Sequence, residues 1–171
     1  MDYIESRRAI IEKNGFGLSM THGVSMRPLI WGGRHSVAVA PLKSDPVPGD
    51  LLMFRDTRGD LEINIVHRLV EIRQTGDQCV YITRGDNCLN CECVGRDRII
   101  GRVTEVHRLS GYRPWYVIPT RRFTVDDRTY KFYSRVWEAT WPVRRIYYQL
   151  RTRAYGAYRR VKSLFRSKKT V

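Results

Sequence analysis

The chain has 171 residues, and its 31 lysines and arginines against 17 acidic residues give a formal net charge of +14. Its hydrophobic content of 42% supports one modest core, which excludes wholesale disorder and favours one domain with an extension. No apolar stretch approaches the roughly 20 residues of a membrane-spanning helix. The charged start also lacks the apolar segment of a secretory signal.

The positive charge is concentrated in the last third of the sequence. Residues 1–112 contain 15 basic and 14 acidic residues, whereas residues 113–171 contain 16 basic and 3 acidic residues. We therefore predict a near-neutral domain over 1–112 and a basic extension over 113–171, and 14 of the 19 aromatic residues lie from Tyr112 onward. Such an excess of positive charge predicts contact with an anionic surface.

The predicted elements begin with a short helix over residues 2–14. Its apolar residues Ile4, Ile10 and Ile11 share one side, and Asn14-Gly15 is a left-handed end signal. The sequence that follows, from Phe16 to Leu109, has the alternation and the β-branched residues of strands. We predict strands at 36–40, 51–55, 62–73, 79–83 and 99–109, with turns rich in Pro, Gly and Asp between them.

The sequence becomes helical after about Thr120. We predict two helices, near 127–140 and 143–168, which Pro142 separates. The fold class is therefore mainly β, with a short N-terminal helix and a basic helical extension at the C-terminal end.

Four short segments carry the residue types of a hydrolytic site. They are Gly23-Val24-Ser25-Met26-Arg27-Pro28, Val47-Pro48-Gly49-Asp50-Leu51-Leu52, Ile65-Val66-His67-Arg68-Leu69, and Gly85-Asp86-Asn87 followed by Gly101-Arg102-Val103. Each segment alone is typical of a turn or a buried strand, and a single strand histidine is more often structural than catalytic. Their joint presence, in this order, is the informative signal.

In this order the segments resemble the signal peptidase I/LexA clan of serine peptidases, over about residues 16–109. The resemblance implies a β-barrel-type core, with Ser25 as the nucleophile and His67 as the general base. Bacterial members have lysine at the base position, whereas eukaryotic reticulum-type and archaeal members have histidine. A free imidazole, with a pKa of about 6.5, can take a proton from a hydroxyl at neutral pH. No metal or organic cofactor is needed.

The resemblance leaves two acids to support His67. Asp86 matches the acid of the family's Gly-Asp-Asn segment, and Glu92 is the only acid in the loop 88–93, while Asp97 is a weaker candidate. A carboxylate in this role would hold the imidazole tautomer and stabilise the imidazolium. The sequence does not decide between Asp86 and Glu92.

The resemblance also identifies the surroundings of the nucleophile. It implies that Gly23, Met26, Pro28 and Arg68 lie in the substrate and oxyanion vicinity. Gly23 stands where signal peptidases often have a serine, so the backbone N–H of Ser25 would donate to the oxyanion.

The sequence thus predicts a serine endopeptidase that cuts a leader, propeptide or signal segment bound as an added strand. No predicted transmembrane helix precedes Ser25, so we expect a cytoplasmic enzyme and not a membrane signal peptidase. Only 24 residues precede Ser25, too few for the helix-turn-helix domain of a LexA repressor. The alternative is a catalytically inactive or self-cleaving LexA-like binding module, associated with a membrane surface or a nucleic acid.

The last predicted helix is amphipathic, because apolar residues recur every three or four positions from Val143 to Phe165. We predict peripheral contact with an anionic membrane surface on its cytosolic face. The contacting residues would be Trp141, Arg144, Arg145, Arg151, Arg159 and Arg160. Two alternatives stay open: packing of this helix on the β domain, and nucleic-acid binding, which charge supports without any base-reading motif.

The four cysteines do not indicate a disulfide framework. Cys79, Cys88, Cys91 and Cys93 lack the spacing of paired zinc knuckles. We therefore predict reduced thiols and no metal site, as is typical of a reducing compartment.

Overall fold

The computed structural model describes residues 3–75, 78–113 and 116–167. It contains eight strands: β1 Gly17–Met20, β2 His35–Ala40, β3 Leu51–Arg58, β4 Leu61–Thr75, β5 Gln78–Arg84, β6 Cys91–Gly95, β7 Ile99–Arg113 and β8 Tyr116–Thr124. The helices are α1 Tyr3–Asn14, α2 Arg128–Ala139 and α3 Trp141–Ser167, with a 3-10 turn at Arg96–Arg98. The predicted class, mainly β with an N-terminal helix and C-terminal helices, is confirmed. Across the described ranges, no helix combines the length and the apolar character needed to cross a bilayer.

All strands pair antiparallel in one sheet of order β1-β2-β7-β3-β4-β5-β6, with β8 added to β7. The predicted barrel-type core is corrected, because β1 and β6 lie at opposite ends of this order and the sheet stays open within the described residues. β1 is only four residues long and pairs with β2 alone among them. A register shift between Leu69 and Glu71 marks a bulge or irregularity in β4.

The sheet continues past residue 112, where the sequence suggested that the domain ends. β8 pairs with β7 along most of its length, for example Val106 with Phe123 and Glu105 with Thr124. The boundary therefore cuts a hairpin. Pro119 and the pair Arg121-Arg122 interrupt the apolar alternation that marks a strand, which explains why β8 was not predicted.

The N-terminal helix ends as predicted, at Asn14 before Gly15, whose φ is +76°. Its packing differs from the prediction in one respect. Ile11 is buried against the sheet at 3% exposure, but Ile10 points to solvent at 56%. Consecutive residues of a helix lie about 100° apart, so both cannot face the sheet fully. The side chain of Ile4 lies outside the described residues.

The two hydrophobic clusters lie on opposite faces of β3. Leu51 and Met53 belong to one cluster, whereas Leu52 and Phe54 belong to the other. The first cluster also includes Tyr130 of α2. The start of the extension is therefore part of the core of the β domain.

The break between α2 and α3 lies at Thr140, close to its predicted position. Pro142 is the second residue of α3 rather than a separator before it. Proline is tolerated in the first turn of a helix, because the N–H that it lacks would have no helical partner there.

Candidate active site

Ser25 lies in the loop between β1 and β2. Gly23 has a φ of +81°, a left-handed conformation that glycine adopts without strain. A Cβ on Gly32 would lie 2.4 Å from the carbonyl oxygen of Gly23, so the two backbones approach as only glycine allows. Met26 enters the core, and its neighbour Ser25 stays half-buried at the edge of a cavity.

The Gly85-Asp86-Asn87 segment holds the Ser25 loop through hydrogen bonds. The backbone N–H of Asn87 donates to the carbonyl oxygen of Ser25 at 2.7 Å, and its side-chain amide donates to the carbonyl oxygen of Val24 at 3.2 Å. A Cβ on Gly85 would lie 2.8 Å from the Ser25 carbonyl oxygen and 2.9 Å from His67 Nε2. The backbone carbonyl of Ser25 and the imidazole of His67 therefore both lie beside Gly85.

His67 is positioned by the sheet, in β4 opposite Leu52 of β3, and is 3% exposed. Its ring packs edge-on against Phe54 at 6.0 Å between centroids. Nδ1 lies 2.7 Å from Oε2 of Glu92 in β6. Nε2 is the nitrogen near Gly85 and Ser25, so an Nδ1–H that donates to Glu92 leaves Nε2 able to accept a proton.

The structure separates the two acids that the sequence left as alternatives. Glu92 contacts His67, whereas Asp86 accepts two hydrogen bonds from Arg68, each 2.8 Å long, at Nε and Nη2. Arg68 also donates from Nη1 to the hydroxyls of Tyr130 at 2.9 Å and Ser134 at 2.6 Å. Asp86 is thus a partner of Arg68 and not of His67.

Arg68 does not lie in the substrate vicinity, where the resemblance placed it. It is 0% exposed and fixed on every side by the sheet, the Asp86 loop and α2. Burial by itself would lower the pKa of Arg68, but the hydrogen bonds and the charge of Asp86 outweigh burial and raise it. The guanidinium is therefore a permanently charged centre of the fold.

Tyr130 makes stability sensitive to alkaline pH. Burial raises its pKa to about 12, although the neighbouring Arg68 opposes the shift. In the unfolded chain the Tyr130 hydroxyl ionises near its ordinary pKa of 10, whereas in the folded protein it stays neutral up to about pH 12. The contribution of Tyr130 to the free energy of unfolding is therefore fully present below pH 10 and is lost by about pH 12. We expect Tyr130→Phe to flatten this decline in urea unfolding measured across the range. A decline as steep as that of the wild type and of the exposed control Tyr155→Phe would contradict this origin.

Ser25 and His67 line one cavity of about 670 Å³. Its wall is mostly apolar and includes Val24, Met26, Ile30, Met53, Ile63, Ile65 and Val66. Of the predicted vicinity residues, Gly23 and Met26 line the cavity. Pro28 is exposed in the loop outside the described lining.

The resemblance did not identify two further residues that the structure brings to this site. Cys88 lines the cavity, and its Sγ would lie 2.8 Å from a Cβ on Gly85. Tyr148 of α3 donates its hydroxyl to the carbonyl oxygen of Asp86 at 3.2 Å. The position of Cys88, one residue after Gly-Asp-Asn, was the only available signal for the first, and a contact from a distant helix has none.

The residues predicted to contact an anionic surface divide into two groups. Trp141, Arg144 and Arg151 contact the β domain. Trp141 packs under the guanidinium of Arg84, 3.6 Å from the ring centroid. Arg144 donates to the Asp86 carbonyl oxygen at 3.2 Å, and Arg151 donates to Asn87 Oδ1 at 3.5 Å. Arg145 and Arg159 are exposed. The side chain of Arg160 lies outside the described residues.

None of the four cysteines forms a disulfide. In the part of the chain that the structure describes, no three side chains from His, Cys, Asp and Glu come close enough to share a metal ion. Asp97, the weaker acid candidate, belongs to the 3-10 turn before β7 and lines a different depression, beside Arg8 and Ile99.

The chain matches no protein-family model and no curated protein sequence. The functional interpretation therefore depends on the residues themselves and on how they are arranged.

Proposed function

We propose that the protein is a serine endopeptidase in which Ser25 is the nucleophile and His67 is the general base. The arrangement of His67 supports this most directly. Its Nδ1 lies 2.7 Å from Oε2 of Glu92, and its Nε2 lies beside Gly85, as does the carbonyl oxygen of Ser25. A histidine oriented by a carboxylate and close to a serine at the edge of a cavity is the arrangement that acyl transfer requires.

In the proposed reaction, the hydroxyl of Ser25 attacks the scissile carbonyl carbon while its proton moves to Nε2 of His67. Glu92 stabilises the imidazolium, which then gives the proton to the leaving amine as the peptide bond breaks. Water attacks the ester on Ser25, with His67 again as base, and releases the acid product and the free serine. The step requires no metal or redox cofactor.

The cavity suits an extended peptide. Residues 61–67 of β4 pair only with β3 in the described sheet, because the pairing of β4 with β5 begins at Arg68. β1, whose Ser19 and Met20 line the same cavity, has its outer edge open. A substrate strand could add to either edge, and the apolar wall favours apolar side chains. Leader, propeptide and signal segments provide such sequences.

Cleavage of a diverse mixture of synthetic peptides, followed by mass spectrometry, tests the proposal. We expect cuts with the wild-type protein and none with Ser25→Ala. Ser19→Ala is the matched control, because Ser19 lines the same cavity without contacting Gly85 in any described interaction, and it should cut as the wild type does. Identical products from Ser25→Ala and wild type would reject the proposal. A loss of intact mass in the protein alone, absent in Ser25→Ala, would indicate self-cleavage.

Alkylation of Cys88 provides a second test of the same cavity. We expect N-ethylmaleimide to inactivate the enzyme in step with modification of Cys88, because the added group would enter the cavity that Cys88 and His67 both line. Cys88→Ser should keep its activity after treatment, whereas Cys91→Ser, at an exposed position in β6, should remain sensitive. Full activity of a protein shown by mass spectrometry to be modified at Cys88 would contradict this placement.

A further inference from the structure

Helix α3 carries an exposed apolar stripe. Its described large members lie three, four or eight residues apart and are 59–73% exposed: Val143, Ile146, Tyr147, Leu150 and Tyr158. In the sequence, Val161, Leu164 and Phe165 continue the same spacing. Exposed apolar side chains in one continuous stripe are typical of a binding surface rather than of a solvated helix.

The stripe is not the side of α3 that holds the helix on the domain. That side is formed by Tyr148, which is 7% exposed, and by Arg144, both of which donate to the Asp86 carbonyl oxygen. Tyr148 follows Val143 by five residues, a rotation of about 140° around the helix. The helix is therefore fixed by a polar and aromatic side, and among the described contacts the stripe stays uncovered.

The charge of α3 indicates what covers the stripe. The helix contains eight basic residues and no acidic residue between Trp141 and Ser167. Arg153 and Arg159 are exposed along its length. An apolar stripe on a helix that also carries cations is complementary to a surface with an apolar layer beneath an anionic layer.

We propose that α3 binds the surface of an anionic lipid bilayer, with the stripe inserted at the level of the acyl chains and the arginines at the headgroups. A nucleic acid would pair with the cations but would leave five apolar side chains in water. A second copy of this helix could cover the stripe only by bringing two strongly cationic surfaces together. Of these three surfaces, only the bilayer accommodates both the apolar stripe and the cations.

This inference goes beyond the peptidase reaction and does not depend on it. The stripe lies on α3, outside the cavity lining, so Ser25→Ala should bind vesicles as the wild type does. If the protein does not bind vesicles, the proposed peptidase reaction is unaffected. If it does not cleave peptides, the proposed binding of α3 to lipid is unaffected.

Flotation of the full chain with vesicles tests the proposal. We expect binding to phosphatidylcholine vesicles that contain phosphatidylglycerol, no binding to phosphatidylcholine alone, and weaker binding as salt is added. The double variant Ile146→Ser/Leu150→Ser should weaken binding by about tenfold or more, because it removes apolar area from the stripe. Arg153→Gln and Arg159→Gln should each weaken it by about fivefold. Leu61→Ser and Lys13→Gln are the controls at exposed positions outside α3.

Circular dichroism checks that each variant keeps its fold. Wild-type affinity in the Ile146→Ser/Leu150→Ser variant would overturn the proposal, because charge alone would then explain binding. Failure to float with anionic vesicles would also overturn it, and tight binding to duplex DNA in the same buffer would then identify a nucleic acid as the partner.

Discussion

Replacing Glu92 by glutamine is expected to slow the proposed peptide cleavage by about 10²–10⁴-fold, by analogy with the loss of the carboxylate in known serine–histidine peptidases. The physical reason is the contact of 2.7 Å between Glu92 and Nδ1 of His67. A neutral amide would neither fix the tautomer that the proposed reaction requires nor stabilise the imidazolium that this reaction would form on His67. The loss should fall on kcat, since Glu92 is not part of the described cavity lining.

The control for Glu92 is Asp97→Asn, which removes the weaker acid candidate of the sequence from a position on the 3-10 turn. It should leave cleavage unchanged. The free energy of unfolding should change little in Glu92→Gln, because the carboxylate is partly exposed and its partner sits within an intact sheet. Wild-type cleavage by Glu92→Gln would exclude this carboxylate as the partner of a catalytic histidine.

Replacing Asp86 by alanine is expected to lower the free energy of unfolding by about 3–5 kcal/mol. The change removes both acceptors of the two 2.8 Å hydrogen bonds from Arg68 and leaves the buried guanidinium with the more distant carboxylate of Glu138, 3.8 Å from Nε. Urea unfolding at neutral pH measures the loss. Activity should also fall, because the segment containing Asp86 positions the Ser25 loop through Asn87.

Two further variants separate the buried charge from a general effect of substitution. Arg68→Met combined with Asp86→Leu removes both charges, and it should recover most of the stability that Asp86→Ala loses. Glu71→Ala removes the acid from an exposed pair with Arg73 and should have no measurable effect. A stable Asp86→Ala protein would mean that Arg68 finds another counter-ion.

The candidate roles of Ser25 and His67 could be predicted from the sequence, whereas the contact of Glu92 with His67 could not. Ser25 and His67 belong to segments with clear turn and strand signals. Glu92 reaches His67 only because β6 pairs with β5 in a register that sets Glu92 opposite Thr83. The strand Cys91–Gly95 has a single β-branched residue, so neither the strand nor its register could be predicted.

Arg68 illustrates a different limit. Arginine is almost never fully buried unless it is paired, and its partners here come from a loop 18 residues away and a helix 62–66 residues away. Periodicity describes neighbours along the chain and carries no information about such contacts. The same limit applies to the extension over 113–171, whose contribution of Tyr130 and Ser134 to this cluster the sequence does not indicate.

The attachment of α3 to the Asp86 carbonyl oxygen has a geometric consequence. Tyr148 and Arg144 connect the helix through hydrogen bonds to the segment that holds the Ser25 loop, at the wall of the cavity. With α3 lying on a bilayer, the cavity would sit at a constant height and tilt above the lipid. An enzyme oriented in this way would select a peptide bond by its distance from the membrane surface, and the amino acids around that bond could vary widely.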